Sequence, residues 1–279
     1  MRRSDRPAAR ADSWPFTARA TRVSALKLNV SQIASLFFVA IALSACGTRG
    51  DQGNLTAKGA DAAPILLFNG TGTSANDVAA VEAILNRNHF EYSTVSSSQL
   101  NGMGEAPMRR HRLLIVPGGN FIDIGNSLTS GTAVNIRNAV QSGLNYLGIC
   151  AGAFFAGNSP YNGLNLTSGV RFGFYALESR GIRKAAVAIA AAGEPTLEQY
   201  WEDGPQLTGW GAVAGKYPDG TPAIVEGRFG SGWVVLSGVH PEAPEGWRRG
   251  MTFTTPASVD HDYAGRLIRA ALDQTSLSH

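Results

Sequence analysis

Tyr146-Leu-Gly-Ile149 runs without a break into Cys150-Ala-Gly-Ala153. The apolar run suits a strand buried on both faces, and the small residues after the cysteine allow a tight strand-to-helix elbow with close backbone approach. Upstream, a helical pattern through Ala133 to Ser142 ends at Gly143, which fits the left-handed position just past a helix end. Leu113-Leu-Ile-Val116 reads as a second buried strand, broken by Pro117-Gly118-Gly119. Ile65-Leu-Leu-Phe68 is a third, closed by Asn69-Gly-Thr-Gly72. Val78, Val81, Ile84 and Leu85 then recur at helical spacing behind Ser74, a candidate N-cap, and Phe90 to Val95 alternates as a strand. Strands alternating with helices predict a single α/β domain over residues 64–279: three layers around a mostly parallel sheet, closed by an amphipathic helix over about 260–272. In such sheets ligands bind at the carboxyl ends of strands, and Cys150 stands at one.

A cysteine in that place has two readings. As a nucleophile it faces solvent on the elbow, and the dipole of the following helix favours its thiolate; as a structural residue it packs as a small hydrophobe. The segment Val234-Val-Leu-Ser-Gly-Val-His240-Pro241-Glu242 favours the nucleophile. A strand that leaves the sheet at Gly238 and is kept extended by Pro241 points the side chains of 240 and 242 to one side. His240 then takes the thiol proton while Glu242 fixes the imidazole tautomer, which is the logic of nucleophile, base and orienting third group. His89, His261 and His279 lack neighbours at metal-ligand spacing, so neither a metal nor a cofactor is expected.

Pro117-Gly-Gly119, Gly148-Ile-Cys-Ala-Gly-Ala-Phe-Phe-Ala156 and Ser237-Gly-Val-His-Pro-Glu242 together resemble the domain at the N-terminus of eukaryotic biotin-protein ligases, within the class I glutamine amidotransferase-like superfamily. The resemblance covers roughly residues 64–246 and implies a flavodoxin-like sheet. It also implies a triad of Cys150, His240 and Glu242, with an oxyanion hole from the amides of Gly119 and Ala151 and with Gly118 as their neighbour. Two features depart from the pattern. Glutaminases of the superfamily carry Gln four residues after the nucleophile, where this chain has Phe154, so a substrate-contacting ring replaces the group expected to hold free glutamine. The Gly-Arg-rich biotin-adenylate loop of the ligases is missing, so biotin transfer is not expected. Tyr200-Trp-Glu-Asp203 either forms a lid over the thiol, making Trp201 a substrate contact, or packs Trp201 in the core.

Charge is spread unevenly along the 279 residues. Their 24 Lys+Arg and 21 Asp+Glu give a formal +3, yet residues 1–45 hold 7 of the basic and 2 of the acidic side chains. The remainder is formally −2, with no basic field to displace counterions from phosphates, so nucleic acid is not an expected partner. Two cysteines exclude a disulfide-stapled scaffold and an all-cysteine zinc site. Cys46 ends an uncharged run whose apolar heart, Ile33-Ala-Ser-Leu-Phe-Phe-Val-Ala-Ile-Ala-Leu43, follows an Arg-rich start in the layout of a signal peptide. A permanent membrane anchor is the alternative, and it needs a longer run of about 20 apolar residues. Leu43-Ser-Ala-Cys46-Gly47 resembles the lipobox of bacterial lipoproteins, which implies a signal peptide over 1–45 and a lipid on Cys46. Residues 46–63 then read as a flexible tether, poor in large apolar side chains.

The expected protein is thus held at the membrane of a bacterial cell envelope by a lipid anchor, facing the periplasm. Its domain acts as a cysteine-dependent amidase, hydrolase or acyl-transfer domain on a small-molecule or peptide amide. The alternative is a catalytically silent domain that uses the same crevice to bind a ligand or an envelope partner.

Overall fold

The computed structural model describes residues 62–191 and 193–277. The expected signal peptide, Cys46 and almost all of the tether lie outside the described residues. From its first strand the chain runs β1 (Ile65–Phe68), α1 (Ala75–Arg87), β2 (Tyr92–Val95), α2 (Ser97–Asn101), α3 (Glu105–Met108), β3 (Leu113–Val116), α4 (Phe121–Ser127), α5 (Ser130–Gln141), β4 (Asn145–Ile149) and α6 (Ala151–Ala156). It continues through β5 (Gly173–Phe174), β6 (Lys184–Ile189), β7 (Leu197–Glu202), β8 (Pro205–Gln206), β9 (Ala212–Lys216), β10 (Pro222–Phe229) and β11 (Gly232–Ser237), then α7 (Glu245–Arg248) and α8 (Ala257–Asp273).

Seven strands form the central sheet in the order β2-β1-β3-β4-β11-β10-β9. The first five are mutually parallel, and β10 and β9 extend the sheet in antiparallel fashion. Successive side chains of a strand point to opposite faces, and here both faces are covered. Ile65 and Leu67 pack with Val81 and Ile84 of α1 and Leu267 and Ile268 of α8. Leu66 and Phe68 pack on the other side, in the layer of Ile136 and Val140 of α5 and Phe155 of α6. Each such fully buried aliphatic side chain contributes roughly 1.5–3 kcal/mol. The three-layer, mostly parallel fold is the expected one.

The local signals also hold where the chemistry behind them is strong. Ser74 caps α1, its hydroxyl accepting from the Asp77 amide at 3.3 Å, and Gly143 follows α5 at φ +115°. Two small antiparallel pairs, β5 with β8 and β6 with β7, stand apart from the main sheet. An isolated bridge between Tyr200 of β7 and His240 ties the β6–β7 pair to the loop after β11.

Candidate active site

Neighbouring carboxyl ends of β1, β3, β4 and β11 converge on one crevice, because those strands are adjacent and parallel. Ile149 of β4 is in register with Ser237 of β11, three residues before His240, so Cys150 leaves the sheet beside the loop that carries His240. The Cys150 amide donates to the Ser237 carbonyl at 2.8 Å. Cys150 itself has φ +49° and ψ −104°, a backbone state that side-chain-bearing residues rarely adopt. The elbow closes only because its glycines are bare. A Cβ on Gly152 meets the Val116 carbonyl oxygen at 1.9 Å, and one on Gly148 meets the Gly152 carbonyl oxygen at 2.5 Å.

His240 Nδ1 lies 2.9 Å from Glu242 Oε1, and both side chains are buried. With a carboxylate as partner, Nδ1–H donates, which leaves Nε2 outside that pairing, and Cys150 lies near enough to act on the charge of the ring. Burial acts against the charged ring, but the Glu242 carboxylate and Cys150 outweigh it and hold the imidazole's pKa well above its ordinary value. The chain reaches this pairing by a turn, with the Ala243 amide donating to the His240 carbonyl at 3.2 Å, where an extended segment was expected. Tyr200 and Trp247 enclose the imidazole edge-on, at ring-centroid distances of 5.9 and 5.8 Å.

Other expectations need correction. The thiol does not face solvent: Cys150 is 6% exposed, and its Sγ donates to the Glu202 carbonyl at 3.4 Å, beneath the end of β7. The stretch 200–203 therefore does cover the thiol, but with backbone and not with Trp201. Trp201 is fully buried, its indole N–H donating to the Gly204 carbonyl and its ring edge-on to Tyr175, so it serves the core and not the substrate. Phe154 is nearly buried, stacked on Phe121 at 4.8 Å and edge-on to Phe174 at 4.9 Å, so it forms part of an aromatic wall beside the elbow.

Gly119, at φ +142°, and Ala151, the first residue of α6, have amides that donate to no acceptor among the described residues, which leaves both for a ligand. Asp77, His240 and Glu242 offer donor atoms within 4.8 Å of one another, and they form the one group among the described residues with the makings of a cation site. A cation bound by all three would have to displace the Glu242 hydrogen bond from Nδ1. Sequence reading does not single out Asp77, since an acid in the first turn of a helix is ordinarily explained by the helix dipole. Only the strand order β1-β3-β4-β11, with the Gly118 loop between, reveals its nearness to the histidine.

This geometry can be set beside known proteins. Residues 63–162 match the family described as Biotin-protein ligase, N terminal. The match takes in Gly119, Cys150 and Ala151 and ends before His240 and Glu242. No curated protein matches the chain. Among solved structures, a glutamine amidotransferase is similar at 20% identity and a TM-score of 0.53, over 73% of this chain and 98% of that one. A cytoplasmic protein from Salmonella typhimurium follows at 10% identity and a TM-score of 0.47, over 74% of this chain and 98% of its own. A β-galactosidase from the Antarctic haloarchaeon Halorubrum lacusprofundi has 15% identity and a TM-score of 0.45, over 75% of this chain and 30% of that one. The domain thus has the glutamine amidotransferase-like fold, with a biotin-protein ligase N-terminal match over its first half.

Proposed function

We propose that this domain is a cysteine-nucleophile amidase, hydrolase or acyl-transfer domain that acts on a small-molecule or peptide amide. The observation that carries the reading is the buried His240–Glu242 pair, 2.9 Å apart, set beside a cysteine held at positive φ on a strand-to-helix elbow. Once its proton has passed to His240 Nε2, Cys150 Sγ attacks the amide carbonyl carbon. The oxyanion that forms is met by the amides of Gly119 and Ala151. The C–N bond then breaks as the imidazolium returns its proton to the leaving amine, and water, deprotonated by His240, cleaves the thioester; an amine in place of water gives acyl transfer. Substrate entry requires the Sγ–H to give up the Glu202 carbonyl, so the end of β7 acts as a cover.

The reading is tested on the full chain by alkylation with iodoacetamide, followed at the Cys150-containing peptide by mass spectrometry. Replacing His240 with Ala is expected to slow alkylation at pH 7 by about tenfold or more, through loss of thiolate. Equal rates would retire the nucleophile. They would favour the second reading, a silent domain that binds a ligand or envelope partner, which the burial of Cys150 beneath the Glu202 carbonyl supports.

The same proposal places the protein at a bacterial envelope membrane, lipid-anchored through Cys46 and facing the periplasm, with 1–45 as signal peptide and 46–63 as lipidated Cys and tether. The support is the lipobox-like Leu43-Ser-Ala-Cys46-Gly47. No described helix is long and apolar enough to cross a membrane. Cells fed a labelled fatty acid should label the wild-type chain and leave Cys46→Ala unlabelled; equal labelling of the two removes the anchor.

A further inference from the structure

We propose that Asp77 is a positioning residue for His240: its carboxylate, admitted by the bare α-carbon of Gly118, gives the imidazolium a second negative neighbour beside Glu242 and keeps the ring aimed at Cys150. The role rests on the nucleophile–base reading above and adds a group to it. Asp77 Oδ1 lies 3.4 Å from His240 Nδ1, and among the described residues His240 is the only ion-pair partner of that carboxylate. The side chain is 12% exposed, so solvent screens the pair weakly.

Dipole compensation explains an acid in a first helical turn, but it does not explain why the neighbouring loop must be glycine. A Cβ on Gly118 lies 1.9 Å from Asp77 Oδ1 and 2.8 Å from His240 Cε1. Any side chain at 118 would force the two groups apart. The approach is also fixed by backbone: the Ser74 amide donates to the Gly118 carbonyl at 3.1 Å, and the Asn120 amide donates to the Gly72 carbonyl at 2.8 Å. These bonds lock the start of α1 to the loop after β3, and Ser74 in turn caps the helix that carries Asp77.

Four titratable groups face the imidazole. Glu242 comes from its own loop, Asp77 from α1, Cys150 from the elbow and Tyr200 from β7. Tyr200 is kept a neutral phenol, since burial and its hydrogen bond to the Glu202 carboxylate push its ionisation far up. The acidic groups that face His240 are therefore the two carboxylates and the Cys150 thiol.

The test uses the full chain with ¹³C-labelled histidine, the His240 signal being assigned by its loss in His240→Gln. In Asp77→Asn the titration midpoint of His240 is expected to fall by about one pH unit, and alkylation of Cys150 below neutral pH should slow several-fold. Gly118→Ala displaces the carboxylate without removing it and should shift the midpoint the same way; it serves as the deciding variant if Asp77→Asn does not fold. A midpoint unmoved in the folded variant, with alkylation still slowed by His240→Ala, overturns the role of Asp77 and leaves the triad standing. Alkylation indifferent to His240→Ala overturns the triad and this role with it.

Discussion

At φ +49°, Cys150 holds a backbone state that costs about 1–3 kcal/mol, and the fold sustains it because the elbow is overdetermined. The Ser237 carbonyl fixes its amide, while Gly152 lies so close to Val116 that α6 has no room to relax. This conformation carries the sulfur off the end of β4 to the Glu202 carbonyl. Phe154, four residues further, bears on substrate choice. A site that binds an amide side chain through hydrogen bonds discriminates strongly, whereas a phenyl ring leaves the polar end of glutamine unpaired. Stacked on Phe121 and edge-on to Phe174, this ring has no polar group to offer. Ammonia release from millimolar glutamine should therefore be negligible. Turnover on the order of 1 per second or faster that vanishes in Cys150→Ala would show that Phe154 does not exclude glutamine.

Single elements differ in how openly their sequence declares them. The strands β1 and β3 are apolar throughout, and β4 is so after Asn145, because both faces are buried, and each ends in glycine- or turn-rich sequence, so they can be read without tertiary information. In contrast, β7 reads Leu-Glu-Gln-Tyr-Trp-Glu, and β10 carries Glu226, Gly227 and Arg228. Their register depends on partners far along the chain, which is why the antiparallel half was not legible. The His240–Glu242 pairing was legible from its spacing, but the turn that makes it was not. Another tertiary product is the corner between α7 and α8, where Arg248 and Asp260 are buried together, Nη1 to Oδ2 being 3.5 Å. Burial, with Glu198 adding to it and Arg248 opposing, pushes the Asp260 carboxyl up to about 7. Because this folded pKa exceeds the unfolded one, Asp260 favours folding below about pH 4 and gives up that contribution as pH rises through 7. Thermal unfolding of wild type and Asp260→Asn from pH 5 to pH 8 should show the difference moving in the variant's favour by about 5–10 °C. A difference flat across that range would mean that Asp260 titrates normally.

The whole domain is tied together at the end of the sheet opposite the crevice. Asn145 opens β4, 3% exposed, and its side chain serves three partners. Nδ2 donates to the Leu272 carbonyl at 3.1 Å, while Oδ1 accepts from the Trp233 amide and from Gln274 Nε2, each at 3.0 Å. One amide thus joins the central strand, its neighbour β11 and the end of the closing helix α8, bridging more than a hundred residues of sequence. Leucine fits the volume but bonds to none of them: the Trp233 amide loses its partner, while the Leu272 carbonyl keeps Arg112 Nη2 at 3.1 Å. A buried group left unpaired costs about 1–3 kcal/mol, so urea unfolding of Asn145→Leu should show a loss of about 1–3 kcal/mol with an unchanged m-value. Arg112 reaches the same helix end, with Nη2 2.9 Å from Asp273, but both side chains are exposed, and Arg112→Ala should cost about 1 kcal/mol or less. A comparable loss in both variants would mean that the contact is generic and that Asn145 is not the junction. The five residues of β4 set Asn145 on the order of 15 Å from the elbow. Asn145→Leu should accordingly lower stability while leaving the His240 titration midpoint and the Cys150 alkylation rate of the folded protein unchanged, which separates what holds the domain together from what its crevice does.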